Sequence, residues 1–232
     1  MFKEFQKFIK KKCFLSNKDS VLLTISGGVD SCVMLDLFSQ TEIPFAIAHC
    51  NFCLRGEESN KDEELLRKLA KKYKVKVHVK HFDTSQESQT KNISIQMAAR
   101  ELRYQWFESL CVQHKYTHIA TAHHQNDVIE TVLFNLSKGT GIAGLHGILP
   151  KSGKLIRPLL FASKSEIEAY ATKKRLEWRS DASNSNNKYS RNLIRNEVVP
   201  LLKKINPNLE RTFEQNVEKL AAVEAIFNEQ IE

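Results

Sequence analysis

The chain has 232 residues, 41% hydrophobic and 27% charged, enough to bury one good-sized core with or without an extension. No apolar run approaches the ~18 residues of a membrane-spanning helix. The first residues alternate apolar and charged side chains, unlike a secretory leader, so a cytoplasmic location with no membrane partner is expected. A net charge of +8 favours a polyanionic partner such as nucleic acid, although the lysines at 7–12, 71–76 and 173–175 equally suit solvated helix faces.

In chain order, residues 1–9 read as an amphipathic helix. Apolar, β-branched runs predict strands at 20–26, 45–50, 75–80 and 117–123, with a weaker fifth at 155–160. Helical periodicity is predicted at 30–39, 57–73, 94–114, 125–137 and 163–174. This alternation implies an α/β fold, a doubly wound, five-stranded parallel sheet of Rossmann-like type. The polar stretch Asp83 to Asn92 is expected to be a surface loop. Ser180 to Ser190, rich in Ser and Asn, reads as another loop. From Arg191 a helical pattern resumes, broken at Pro200 and at Asn206-Pro207-Asn208. Residues 15–200 are thus expected to form one catalytic domain, followed by a helical linker at 201–232 that leads to further domains.

The segments richest in chemistry all fall at predicted strand ends, where ligands bind in such sheets. Ser26-Gly27-Gly28-Val29-Asp30-Ser31 follows a strand and opens a helix. Its glycines permit close backbone approach, and the N–H groups of the next helical turn form an anion cradle. No Gly-Lys-Ser/Thr follows and no lysine lies in the turn, so it is not a Walker phosphate loop. The plain alternative is a capped turn with Ser26 or Asp30 as the cap. Next, Arg55 in His49-Cys50-Asn51-Phe52-Cys53-Leu54-Arg55-Gly56 suits a substrate phosphate or, equally, a bridge to Glu58. Arg100 and Arg103 share one helix face, with Leu102 and Trp106 expected toward the core. His123 and His124 close the fourth strand, and Asp127 and Glu130 share a face of the following helix, suited to an ammonium group or a metal. Gly139 to Gly147 reads as a loop over the site.

Five cysteines, an odd number, do not form a secreted disulfide framework. Cys50-x-x-Cys53 has metal-ligand spacing, but no second such pair completes a zinc site, and incidental thiols are the simpler reading.

Together these residues resemble the N-type ATP pyrophosphatases, of the adenine nucleotide alpha hydrolase type. Within them, they are similar to the tRNA(Ile)-lysidine synthetase family. The resemblance runs from about residue 20 to 200. It rests on Ser26 to Ser31, His49-x-Asn51-x-x-Leu54-Arg55-Gly56-x-Glu58-Ser59, Ala99-Arg100-x-x-Arg103-Tyr104 and His123-His124-x-x-Asp127-x-x-Glu130-Thr131. Arg157-Pro158-Leu159, Asp181-x-Ser183-Asn184 and Arg191-Asn192-x-Ile194-Arg195 also match. The chain departs from the family pattern at Asn126, Val128 and Cys53.

The resemblance implies ATP-dependent adenylation of the C2 oxygen of the wobble cytidine in an isoleucine tRNA with a CAU anticodon. Attack by free L-lysine then gives lysidine, AMP and pyrophosphate. It implies ATP at Ser26, Gly27, Gly28, Val29, Asp30 and Ser31, with Mg²⁺ near Asp30. Asp127 and Glu130 are expected to hold lysine, and Asp30, Arg103, His123 and Asp127 to act in catalysis. Arg55, Arg100, Arg191 and Arg195 are expected at tRNA or other phosphates, and a homodimer is left open. The alternatives are a tRNA thiolase of the same fold, an ammonia-using amide synthetase, and a non-catalytic nucleotide-binding module.

Overall fold

A computed structural model describes residues 1–179 and 190–231. The sheet has six strands in the order β3-β2-β1-β4-β6-β5. They are β1 (Val21–Thr24), β2 (Phe45–Asn51), β3 (Val77–His81), β4 (His118–Ala120), β5 (Lys151–Ser152) and β6 (Leu155–Ile156). Five of them are mutually parallel, as expected, and β5 adds an antiparallel edge through a tight hairpin onto β6. The expected strand at 155–160 shortens to two residues, because the chain turns at Arg157-Pro158 and only Leu159 pairs again, in a single bridge to His124.

Strand alternation distributes the core. Val21 and Leu23 of β1 and Ile47 of β2 face a layer made by α1 (Phe2–Lys11), α2 (Val29–Ser39), α3 (Glu57–Tyr73) and α8 (Lys164–Lys174). Leu22, Ala46 and Ala48 face α5 (Ile95–His114), which contributes Trp106, Phe107, Leu110 and Cys111. Leu102 packs against that same cluster. Each fully buried Leu, Ile or Phe here contributes about 1.5–3 kcal/mol.

Asp83 to Asn92 is not a loop. It contains α4 (Thr84–Lys91), with the Asp83 carboxylate accepting the Gln86 N–H at 2.9 Å and Asn92 closing the helix in the left-handed region. Thr84 is its only buried residue, so no apolar period marks it in the sequence.

The glycine-rich segment between α6 (Gln125–Lys138) and β5 contains a single helical turn, α7 (Ile142–Leu145). Beyond the undescribed residues, α9 (Ser190–Leu193), a π-turn at Ile194–Val198, α10 (Val199–Ile205) and α11 (Leu209–Ile231) follow. They cluster on α6 through Ile129, Ile194, Val199 and Leu209. Residues 209–231 dock on the sheet domain. His146 Nε2 lies 2.8 Å from Glu224, Lys12 Nζ lies 2.7 Å from Glu218, and Val217 packs with Val128 and Leu160. Among the described residues, no helix is long and apolar enough to cross a membrane.

Burial holds His49, His78, His118 and His123 below the ordinary imidazole value of 6.5, because it penalises the charged ring. The unfolded chain therefore binds more protons than the native state near that value, and stability rises with pH. The contribution is complete above pH 6.5 and lost as pH falls from there toward the depressed native values. We expect the urea midpoint to decline from pH 7.5 to 5.5, before most carboxylates protonate. A midpoint that stays flat across this interval would refute the assignment.

Candidate active site

The strand order reverses between β1 and β4, and the carboxyl ends of these two strands open a cavity of about 800 Å³. After β1 the chain turns at Gly27, whose φ of +97° favours glycine, and α2 begins at Gly28. No side chain caps α2, neither Ser26 nor Asp30, so its first N–H groups remain available to an anion. The two serines instead brace the turn. Ser31 Oγ donates to Gly28 O at 2.9 Å and accepts from the Gly27 N–H at 3.3 Å, and Ser26 Oγ lies 3.3 Å from Ser31 Oγ. Ser26, Gly28, Val29, Asp30 and Ser31 line the cavity, and Gly27 backs onto Asp62.

The wall above β2 carries His49, whose Nδ1 lies 2.9 Å from Ile25 O. Its Nε2 is buried without a hydrogen-bond partner, as is Nδ1 of His124. Buried polar atoms in such a state call for a ligand. Arg55 pairs with Asp62 at 2.7 Å, not with Glu58. Glu58 takes Lys61 at 2.7 Å and also Arg179. Arg179 reaches Asp62 at 2.7 Å, and its backbone N–H donates to Gly27 O at 3.0 Å, so it ties this wall to the loop. Arg100 and Arg103 both face the cavity from α5, the first over the Tyr104 ring at 4.9 Å and the second over Phe52 at 5.1 Å.

Opposite, His123 to Glu130 delivers the acidic half. His123 Nδ1 lies 2.8 Å from Thr121 Oγ1, and burial keeps the ring neutral near pH 7 despite the nearby Asp127 charge. Asp127 Oδ2 accepts the His124 N–H at 2.9 Å, which caps α6. Glu130 is buried and receives both arms of Arg195, Nε at 2.7 Å and Nη2 at 2.8 Å. Arg195 also stands 3.7 Å from Asp127, and the Glu130 hydrogen bond raises its already high pKa. The expected lysine-binding Glu130 and phosphate-binding Arg195 are therefore joined in one ion pair.

Three further expectations change. Asp30, expected beside Mg²⁺, is occupied by the Lys164 ammonium at 2.7 and 3.0 Å, with His124 Nε2 at 3.8 Å. Among the described residues, no group of three or more His, Cys, Asp or Glu is placed to cage a metal. Asp30 can supply one oxygen ligand to Mg²⁺, which commonly takes the rest from phosphate and water. Arg191 does not reach the cavity; it lies exposed over the Phe134 ring at 5.5 Å. Asp181-x-Ser183-Asn184 falls outside the described residues. Lys164 and Arg179 line the cavity, and no local pattern in the sequence singles out either one.

The cavity combines an uncapped helix start with arginines on one side and two carboxylates with a neutral imidazole on the other. It can take a phosphate ester, a flat ring and a cationic amine. Cys50 also lines it, and burial pushes its thiol up to about 12, so it is protonated and a poor ligand or nucleophile at neutral pH.

The PP-loop domain family matches residues 1–202. The tRNA(Ile)-lysidine synthase of Bacteroides thetaiotaomicron is 42% identical over 226 residues, covering 97% of this chain and 53% of that protein. The tRNA(Ile)-lysidine synthase of Chlorobaculum tepidum is 42% identical over 221 residues, covering 91% and 67% respectively. The chain thus spans about half to two thirds of the length of these curated relatives. Among solved structures, the U34-tRNA thiolase NcsA from Methanococcus maripaludis, described with its 4Fe–4S cluster, superposes with a TM-score of 0.74 at 20% identity. It covers 94% of this chain and 78% of its own. The NMN synthetase from Francisella tularensis gives a TM-score of 0.53 at 14% identity, covering 76% and 71%. Both likenesses are of fold.

Proposed function

The chain belongs to the PP-loop family and, within it, to the tRNA(Ile)-lysidine synthases, and on that basis we propose that it converts a wobble cytidine to lysidine. The observation that carries the reading is the pairing, across one cavity, of an anion-binding loop with the carboxylates Asp127 and Glu130. A thiolase or a bare nucleotide-binding module has no use for a cation-holding wall opposite the phosphates.

In this reading ATP lies with its phosphates on Ser26 to Ser31. The cytidine O2 attacks the α-phosphorus, the bond to the β-phosphate bridging oxygen breaks, and pyrophosphate leaves. Mg²⁺, with Asp30 as its one protein ligand, would offset phosphate charge. Arg103, with Arg100 and Arg55 nearby, balances the charge that develops on the activated cytidine and its phosphate. The ε-amine of lysine then attacks C2, the C2–O bond breaks, and AMP departs with that oxygen.

Lysine arrives protonated, since its pKa is about 10.4. Asp127 and Glu130 hold the cation, and His123, neutral at working pH, accepts the proton that must leave before attack. Arg195 fixes Glu130 and lies within reach of the RNA backbone. Residues 15–200 form the catalytic unit and 201–232 a helical extension toward tRNA-recognition parts, with Arg191 on its exposed flank. The substrates are soluble, which fits a cytoplasmic site of action.

The test is AMP release from ATP with a tRNA bearing the CAU anticodon, with and without labelled lysine. Label should enter the tRNA in step with AMP. The double variant Cys50→Ser, Cys53→Ser should retain activity within about threefold, because a protonated, buried thiol offers no nucleophile. Sulfur incorporation, or more than a hundredfold loss in the double variant, would favour the thiolase reading.

A further inference from the structure

The loop from Ser26 to Ser31 has no cation of its own, yet the fold brings one to it from 134 residues away. Lys164, the first residue of α8, places its ammonium 2.7 and 3.0 Å from the two carboxylate oxygens of Asp30 and lines the same cavity. Its placement is set by the backbone. Ser163 and Glu166 form a reciprocal capping box at the start of α8. The Lys164 N–H donates to Asn126 Oδ1 at 2.9 Å, and Gln125 Nε2 donates to Phe161 O at 3.1 Å. The first turns of α6 and α8 are thereby stitched together beside the loop. Asn126, where the family pattern has Asp, gains a definite role here as the acceptor that positions α8.

We propose that Lys164 is the pyrophosphate-holding cation of this site, passing from Asp30 to the terminal phosphates when nucleotide binds. The inference rests on the nucleotide reading of the cavity. The loop offers only neutral N–H groups, and the Asp30 carboxylate opposes an arriving phosphate. Without ligand, Lys164 neutralises that carboxylate. With ligand, an ammonium carries three donors, so it can keep one on Asp30 and give another to a phosphate oxygen. Its side chain is 36% exposed, so the head group can turn without moving α8. The other cations of the cavity with known partners sit elsewhere: Arg195 on Glu130, Arg55 and Arg179 on Asp62. A lysine supplied from another helix thus performs the task that the Walker loop gives to its own lysine.

Calorimetric titration with inorganic pyrophosphate and, separately, AMP tests this on the wild-type chain, Lys164→Met and Lys164→Arg. We expect Lys164→Met to bind pyrophosphate at least about tenfold more weakly, as fits loss of one charge-assisted contact. AMP affinity should stay within about twofold, and Lys164→Arg should recover much of the loss. Equal pyrophosphate affinity in wild type and Lys164→Met overturns the proposal. So does a parallel loss of AMP and pyrophosphate, which marks a displaced helix and not a lost counter-charge. Wild-type protein that binds neither ATP nor pyrophosphate overturns the nucleotide reading itself, whereas wild type that binds both beside an unaffected Lys164→Met removes only the role of Lys164.

Discussion

Replacing Asp127 with asparagine is expected to raise the KM for lysine about a hundredfold or more while ATP affinity stays within threefold. The substitution separates two duties of one side chain. The structural duty is to accept the His124 N–H at 2.9 Å and so cap α6. An asparagine oxygen accepts that bond equally well, and the cap should survive. The electrostatic duty is to present negative charge beside Glu130, and the amide cannot perform it. Glu130 by itself cannot compensate, because Arg195 already takes both of its oxygens. Leaving a lysine ammonium without a charged acceptor in this half-buried wall costs about 3 kcal/mol, which corresponds to roughly a hundredfold. Steady-state AMP release over a lysine titration gives the first number, and ATP titration calorimetry gives the second. If both affinities fall together, Asp127 is a structural element of the whole cavity and not part of the lysine site.

Gly28→Ala should abolish ATP binding, by about a hundredfold or more, in a protein that unfolds within about 1 kcal/mol of wild type. Gly28 has φ −72° and ψ 162°, ordinary backbone for any residue. A Cβ built there meets only Ser26 Oγ at 3.6 Å, normal van der Waals contact. Neither the chain conformation nor its neighbours therefore need glycine. Gly28 lines the cavity at the uncapped start of α2, where an added methyl stands between the N–H groups and an incoming phosphate. Gly27 is the control. Its φ of +97° disfavours any side chain although the nearest contact, Asp62 Cβ, is at 3.8 Å. Gly27→Ala should lower stability by about 1–2 kcal/mol and Tm by several degrees. Thermal melts and ATP titrations on both variants decide. A Gly28→Ala protein that still binds ATP within threefold would show that the phosphates lie elsewhere.

The regular core elements were legible because burial imposes a period. β1 to β3 and the helices at 29–39, 57–73, 95–114, 125–138 and 164–174 lie within a residue or two of their predicted ranges. α4 was not legible, since it buries only Thr84 and is held by local caps instead of an apolar face. The antiparallel β5 was missed for a similar reason, as a two-residue edge strand has no periodicity to read.

The site divides along the same line. Local sequence was sufficient for the Gly-Gly turn, the paired arginines of α5 and the carboxylates of α6, because each depends on spacing within one element. Which charge meets which was decided only by the packing of α2, α6 and α8 and the turn at Ile194–Val198. That packing sets Lys164 on Asp30, Arg195 on Glu130 and Arg179 on Asp62, across separations of 134, 65 and 117 residues. Coulomb attraction acts over a few ångströms and is indifferent to chain order, so side chains far apart in sequence become partners only once the core has placed their helices.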